Sequence, residues 1–197
     1  HWRVISWPFD EWPDDPIDAL RTIAPDLGLP FDLDRAAVDL QPLPGRPLRS
    51  LLVAAPAQLV EAWIEALALA GLPLERLVPA QVCTREALLP RLRGLDPRDG
   101  VVLLQPDGTD CSLQLWRQTV PLYDAQLPLN GPDLAEAVAV RLAYVQSQEP
   151  DWRPQQLWLS QPVPQQEALA DAIGLSLELL DSAPYDSLVL QGLAQLP

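Results

Sequence analysis

An α/β fold is what this sequence predicts, on three observations. Apolar residues make up 48% of the 197 positions, well above the disordered class, so a sizeable core can be buried. Short apolar runs of strand length alternate with helix-period segments, and glycine and proline punctuate the joints. The order of these runs then falls into two blocks: β-α-β-β-α up to about residue 73, followed by a three-strand meander and α-β-α-β-α. Prolines and glycines total 23 + 9 = 32 of 197, below the low-complexity range, and no internal repeat is visible.

Residues 2–7 read as a strand closed by Pro8. Trp2, Trp7 and Trp12 offer either an aromatic ledge or the packing of a small sheet. Asp14-Asp15-Pro16 starts a helix, with acids at the positive end of the dipole and proline in the first turn, and Gly28 stops it after Leu27. A loop over Pro30–Asp34 leads to a strand over Ala36–Leu43, a turn at Pro44-Gly45-Arg46-Pro47, and an apolar strand, Arg49–Ala55, rich enough to be central. Leu59, Val60, Trp63, Leu67 and Ala70 recur at helical spacing over 57–70, and Gly71 ends that helix.

In the second block a strand is expected near Leu74–Pro79 and a helix over Arg85–Arg93. Val101–Leu104, Cys111–Arg117 and Val120–Leu129 form the meander, with a turn at Asp107-Gly108. A helix from Pro132-Asp133 to Gln148, a strand at Leu157–Ser160, a helix over Gln165–Ile173 and a strand over Leu175–Leu180 follow. A closing helix lies within Ser182–Leu196.

Composition removes whole function classes. The net charge is 13 − 27 = −14, all the basic residues are arginine, and His1 is the single histidine. Without lysine or an internal histidine there is no Ser-His-Asp triad, His-ligated zinc, Schiff base or P-loop. The negative charge disfavours nucleic acid and anionic membrane as partners. Cys83 and Cys111 read as two small buried hydrophobes rather than a disulfide framework. No apolar run of about 18 residues is present, so no membrane insertion is expected, and the cysteine usage fits a reducing compartment. A start at His1 rather than methionine suits an excised part of something longer. Asp14/Asp15 and Asp32/Asp34 pair carboxylates that suit helix starts better than a cation site. The turn Asp107-Gly108-Thr109-Asp110 is the one phosphate-loop candidate, and Asp-Gly is equally common hairpin chemistry.

Several segments in register resemble PilM-type pilus assembly proteins. They are Pro30-Phe31-Asp32-Leu33-Asp34 with the strand ending Asp39-Leu40-Gln41-Pro42-Leu43, and Leu51–Pro56 with Leu59-Val60 and Ala70-Gly71-Leu72. The third piece is the strand–turn–strand of 101–117 with Val120-Pro121-Leu122-Tyr123 and Leu127–Leu134. Tyr185–Leu193 matches the closing helix. The resemblance implies a partial actin-like (FtsA-like) ATPase fold: residues 1–73 as a small inserted α+β subdomain, and 74–197 as an actin-like, ribonuclease H-like α/β subdomain.

The departures from that family shape the functional expectation. Where members carry an Asp-x-Gly phosphate loop, this chain has Gln105-Pro106-Asp107-Gly108, an amide in place of the carboxylate and a proline with no N–H to donate. The glycine pair expected after Leu159-Ser160 is Gln161-Pro162, closing off a near backbone approach, and of the pair before the next helix only Gly131 remains. The resemblance thus assigns Gln105, Asp107, Gly108, Thr109, Gly131, Ser160 and Gln161 to a nucleotide-site remnant, with no catalytic or metal-binding residue and no ATP as cofactor. The first phosphate hairpin would lie upstream of His1. What it implies is a non-catalytic scaffold of a type IV pilus assembly platform, bound to the short tail of a PilN-like inner-membrane protein and therefore cytoplasmic and peripheral. The alternatives are the cytoplasmic domain of a type II secretion platform protein (GspL-like) and an active actin-like ATPase with catalytic residues upstream.

Overall fold

The computed structural model describes residues 2–43, 47–129 and 134–196. Residues 44–46 of the expected turn, and 130–133 with Gly131 and the expected start of a helix, lie outside the described residues. The chain divides into two compact units, His1–Pro79 and Ala80–Pro197, a little beyond the joint expected at residue 73.

The first unit holds a three-stranded antiparallel sheet of β1 (Trp2–Ser6), β2 (Ala36–Leu43) and β3 (Arg49–Pro56), in the order β1-β3-β2. The most apolar strand, β3, takes the central place, where both its edges are paired. Along β2 burial alternates residue by residue, Val38 and Leu40 inward and Ala37 and Asp39 outward, as the period of two requires. Helix α1 (Pro16–Leu27) sets Leu20, Ile23 and Leu27 against Ile5, Trp7, Leu52 and Ala54. Its start is fixed by Asp15, whose carboxylate accepts from the N–H groups of Ile17 and Asp18 at 3.1 and 2.9 Å. Its end is fixed by Gly28 in the left-handed region at φ 58°, which glycine enters without strain.

Each carboxylate pair supplies one cap, Asp15 for α1 and Asp32 for the turn that follows. Asp32 accepts from the Asp34 N–H in a 3-10 turn, Leu33–Arg35, and Asp34 pairs with Arg21 at 3.1 Å. Trp2 and Trp7 are core residues; Trp7 donates from Nε1 to the buried Ser50 Oγ at 3.0 Å, and Trp12 stands edge-on to it at 5.5 Å. Helix α2 (Ala57–Leu69) lies against β2 and β3. The strand expected at Leu74–Pro79 is absent. Pro73 and Pro79 bracket the segment without N–H groups to offer a ladder, and no described strand takes it as a neighbour.

The second unit is built on a five-stranded mixed sheet, order β6-β5-β4-β7-β8. Strands β4 (Asp99–Asp107), β5 (Asp110–Arg117) and β6 (Val120–Pro128) form the expected meander, and β7 (Arg153–Leu159) and β8 (Ser176–Leu179) extend it in parallel. Helices α4 (Leu134–Gln148) and α5 (Gln166–Ile173) bury one face, where Val102, Leu104, Leu113, Leu115, Leu157 and Leu159 form the core. The other face takes α3 (Ala80–Arg93) and α6 (Leu188–Leu193), which pack on each other. Helix α3 starts directly after Pro79, ahead of the expected Arg85. Helix α6 occupies only part of 182–196, because Pro184 holds the chain out of a helix and Ser187 then caps it through Oγ on the Leu190 N–H. Two glycines permit close approaches: a Cβ at Gly100 would strike the Trp152 ring, and one at Gly192 would strike the Cys83 carbonyl.

Candidate functional site

Where β4 and β7 end, the second unit carries a cavity of about 360 Å³. The carboxyl ends of parallel strands are where open α/β sheets place their ligands. Strand β4 contributes Gln105, Pro106 and Asp107, and the residues after β7 contribute Ser160 and Gln161. Helix α3 supplies its first turn and Thr84, and α6 supplies Ser187–Val189. The sheet wall is a polar row: Gln105 lies opposite Ser112, Ser112 opposite Gln126, and Gln114 sits two residues along β5 on the same face.

That row exists because β5 alternates strictly. Cys111, Leu113 and Leu115 enter the core under α4 and α5, which sends Ser112 and Gln114 to the opposite face. There Gln105 Oε1 accepts from both Thr84 Oγ1 and Gln114 Nε2 at 3.3 Å. Thr84 and Gln114 are each 1% exposed, and the Gln114 Oε1 has no hydrogen-bond partner. Among the described residues the lining has one charged side chain, Asp107, and no cation.

The assigned residues scatter unevenly around this cavity. Gln105, Asp107, Ser160 and Gln161 line it. Gly108 and Thr109 form the exposed tip of the β4–β5 hairpin, with Gly108 at φ 61°, and do not line it. Gly131 lies outside the described residues. Thr84, Ser112, Gln114 and Gln126 were not singled out from sequence, although the alternation of 111–115 carried the signal for two of them.

No group of three or more His, Cys, Asp or Glu side chains able to hold a metal occurs among the described residues. Both cysteines are free thiols inside the core. Burial pushes the Cys111 thiol up to about 11 and raises Cys83 as well, so the reactive thiolate is suppressed at neutral pH.

No family model and no curated protein matches the chain. Solved structures do. A chain of the PilM-PilN type IV pilus biogenesis complex superposes with a TM-score of 0.69 at 21% identity, over 99% of this chain and 76% of that one. A Bacteroides thetaiotaomicron protein of actin-like ATPase fold and unknown function gives 0.59 at 12% identity, over 100% and 70%. The cytoplasmic domain of EpsL, an inner-membrane component of the Vibrio cholerae type II secretion system, gives 0.49 at 14%, over 99% and 68%, too loose to bear on function. The fold is therefore the actin-like α/β fold, with the cavity at the end of its parallel strands.

Proposed function

We propose that this chain is a non-catalytic scaffold of a type IV pilus assembly platform, holding the short tail of an inner-membrane partner like PilN. The observation that carries the reading is the likeness to a chain of the PilM-PilN complex over 99% of the length. The cavity lining supports the non-catalytic part. A triphosphate needs cations or a metal-holding carboxylate, whereas here Gln105 stands at the carboxylate position, Pro106 offers no N–H, and Gln161-Pro162 closes the nucleoside side. Asp107, the single charge in the lining among the described residues, repels phosphate.

The partner's tail is expected to be extended and apolar with some basic residues. A net charge of −14 speeds encounter with such a segment more than it adds affinity. No helix among the described residues is long and apolar enough to cross a membrane; in this reading the partner's tail brings the scaffold to the inner membrane. Titration with the N-terminal peptide of a PilN-like protein encoded beside it tests the reading. A dissociation constant on the order of 1 μM is expected, with an association rate that falls as salt rises. No binding at about 100 μM peptide by a chain shown to be folded overturns it. Calorimetry with Mg·ATP tests the other half, and a constant of about 10 μM or tighter would refute the loss of nucleotide binding.

A further inference from the structure

We infer that the cavity at the ends of β4 and β7 binds an uncharged amide: the carboxamide or peptide group of a small molecule or of a polypeptide segment. Three features of its wall converge on that chemistry. The first is a buried acceptor left open. Gln114 is 1% exposed, lines the cavity, and spends its Nε2 on Gln105, while its Oε1 has no partner. A buried carbonyl oxygen without a donor costs free energy, and a ligand N–H reaching it would remove that cost.

The second feature is a set of donors. Helix α3 opens on Ala80 and Gln81, both in the lining, and the first N–H groups of a helix have no partner within it. Pro79 precedes them and has no side-chain oxygen with which to cap. These N–H groups suit a ligand carbonyl.

The third feature is the balance of charge. Among the described residues the lining contains Asp107 and no cation, while the N-terminal end of α3 contributes partial positive charge. A phosphate or carboxylate would meet Asp107 without a countercharge. An ammonium or guanidinium would meet the positive end of α3. An amide carries one acceptor and up to two donors without net charge, and so satisfies both walls. The other polar groups of the lining, among them Ser112, Ser160, Ser187, Gln126 and Gln161, are neutral hydrogen-bonding side chains, and Pro106, Leu188 and Val189 supply apolar surface beside them. This inference stands apart from the scaffold reading and does not depend on it.

The test uses the full chain, labelled with ¹⁵N, and three probes of one shape: butyramide, butyrate and butylammonium. The readout is the side-chain NH₂ signals of Gln105 and Gln114. Butyramide is expected to shift them with a half-saturation of about 10 mM, the strength of a fragment of that size, while the two charged probes at equal concentration leave them in place. Gln114→Leu should weaken the butyramide shift of Gln105 at least tenfold. If that variant does not fold, Gln81→Pro, which removes one of those N–H donors and is tolerated in a helix's first turn, should weaken it severalfold. No shift with butyramide overturns the inference, and so does an equal or larger shift with either charged probe. Adding the PilN-like tail peptide separates the two sources of the amide: movement of the same signals identifies a polypeptide segment, and their constancy alongside a butyramide shift identifies a small molecule. Peptide binding with silent cavity signals and no butyramide response overturns this inference and leaves the scaffold reading standing.

Discussion

A thiol held at about 11 by burial ties the protonation of Cys111 to stability. In the unfolded chain it ionises from its ordinary value of 9.0, whereas in the core it keeps its proton two units longer. The folded form therefore binds more protons between those values, and stability falls as pH rises through that window. Below pH 9 the contribution is fully present; at about pH 11 on the order of 2–3 kcal/mol is gone. Urea unfolding at pH 8, 9.5 and 11, compared with Cys111→Ala, should show this extra loss in the parent chain and its absence in the variant. In the first unit, Ser50→Ala would strand the Trp7 indole N–H inside the core. A loss of about 1–3 kcal/mol follows for an unpaired buried donor, readable from the same unfolding curves.

At the scale of elements, the packing of α6 on α3 rests on the missing side chain of Gly192, where the Cys83 carbonyl occupies the space of a Cβ. Gly192→Ala leaves α6 its helix propensity, which alanine improves, but forces the two helices apart. The net expectation is a loss of about 1–3 kcal/mol from overpacking. In ¹⁵N spectra, disturbance should centre on Thr84 and Leu188, while α4 and α5, which cover the opposite face of the sheet, keep their signals. A uniform disturbance across the sheet would contradict this account of the helix pair.

Much of this level was legible beforehand. Asp15, Pro16 and Gly28 fix α1 by local chemistry that needs no tertiary partner, and the meander followed by alternating helices and strands stands in the expected order. What could not be read was set by neighbours. The segment 72–79 has strand composition but no strand beside it, and α3 begins at a proline boundary that periodicity alone did not weigh. The cavity was half legible: the residues that end β4 and follow β7 were visible in sequence, whereas Thr84 enters only because α3 crosses the sheet face that carries Gln105.

For the whole molecule, the link between the units is the expected point of weakness. Residues 72–79 have no ladder or helix, and Leu72, Leu77 and Arg76 are exposed. Limited trypsin digestion should cut first after Arg76, since proteases select exposed segments free of regular structure. Two fragments that meet at residue 76, each resistant to further cutting, are the expected products. Early cuts at Arg117 or Arg141, inside β5 and α4, would show instead that the second unit opens before the link does.

The embrace of α3 by α6 also sets an order of events during synthesis. The second unit is joined by its own first and last helices, so α3 leaves the ribosome with the turn around Cys83 uncovered until α6 exists to meet it. The roughly 95 residues between Arg93 and Leu188 take about 5–20 s at ordinary elongation rates. For that interval the nascent chain carries a completed first unit and a helix still waiting for its mate, so the turn of α3 around Cys83 is the last part of the second unit to be closed over.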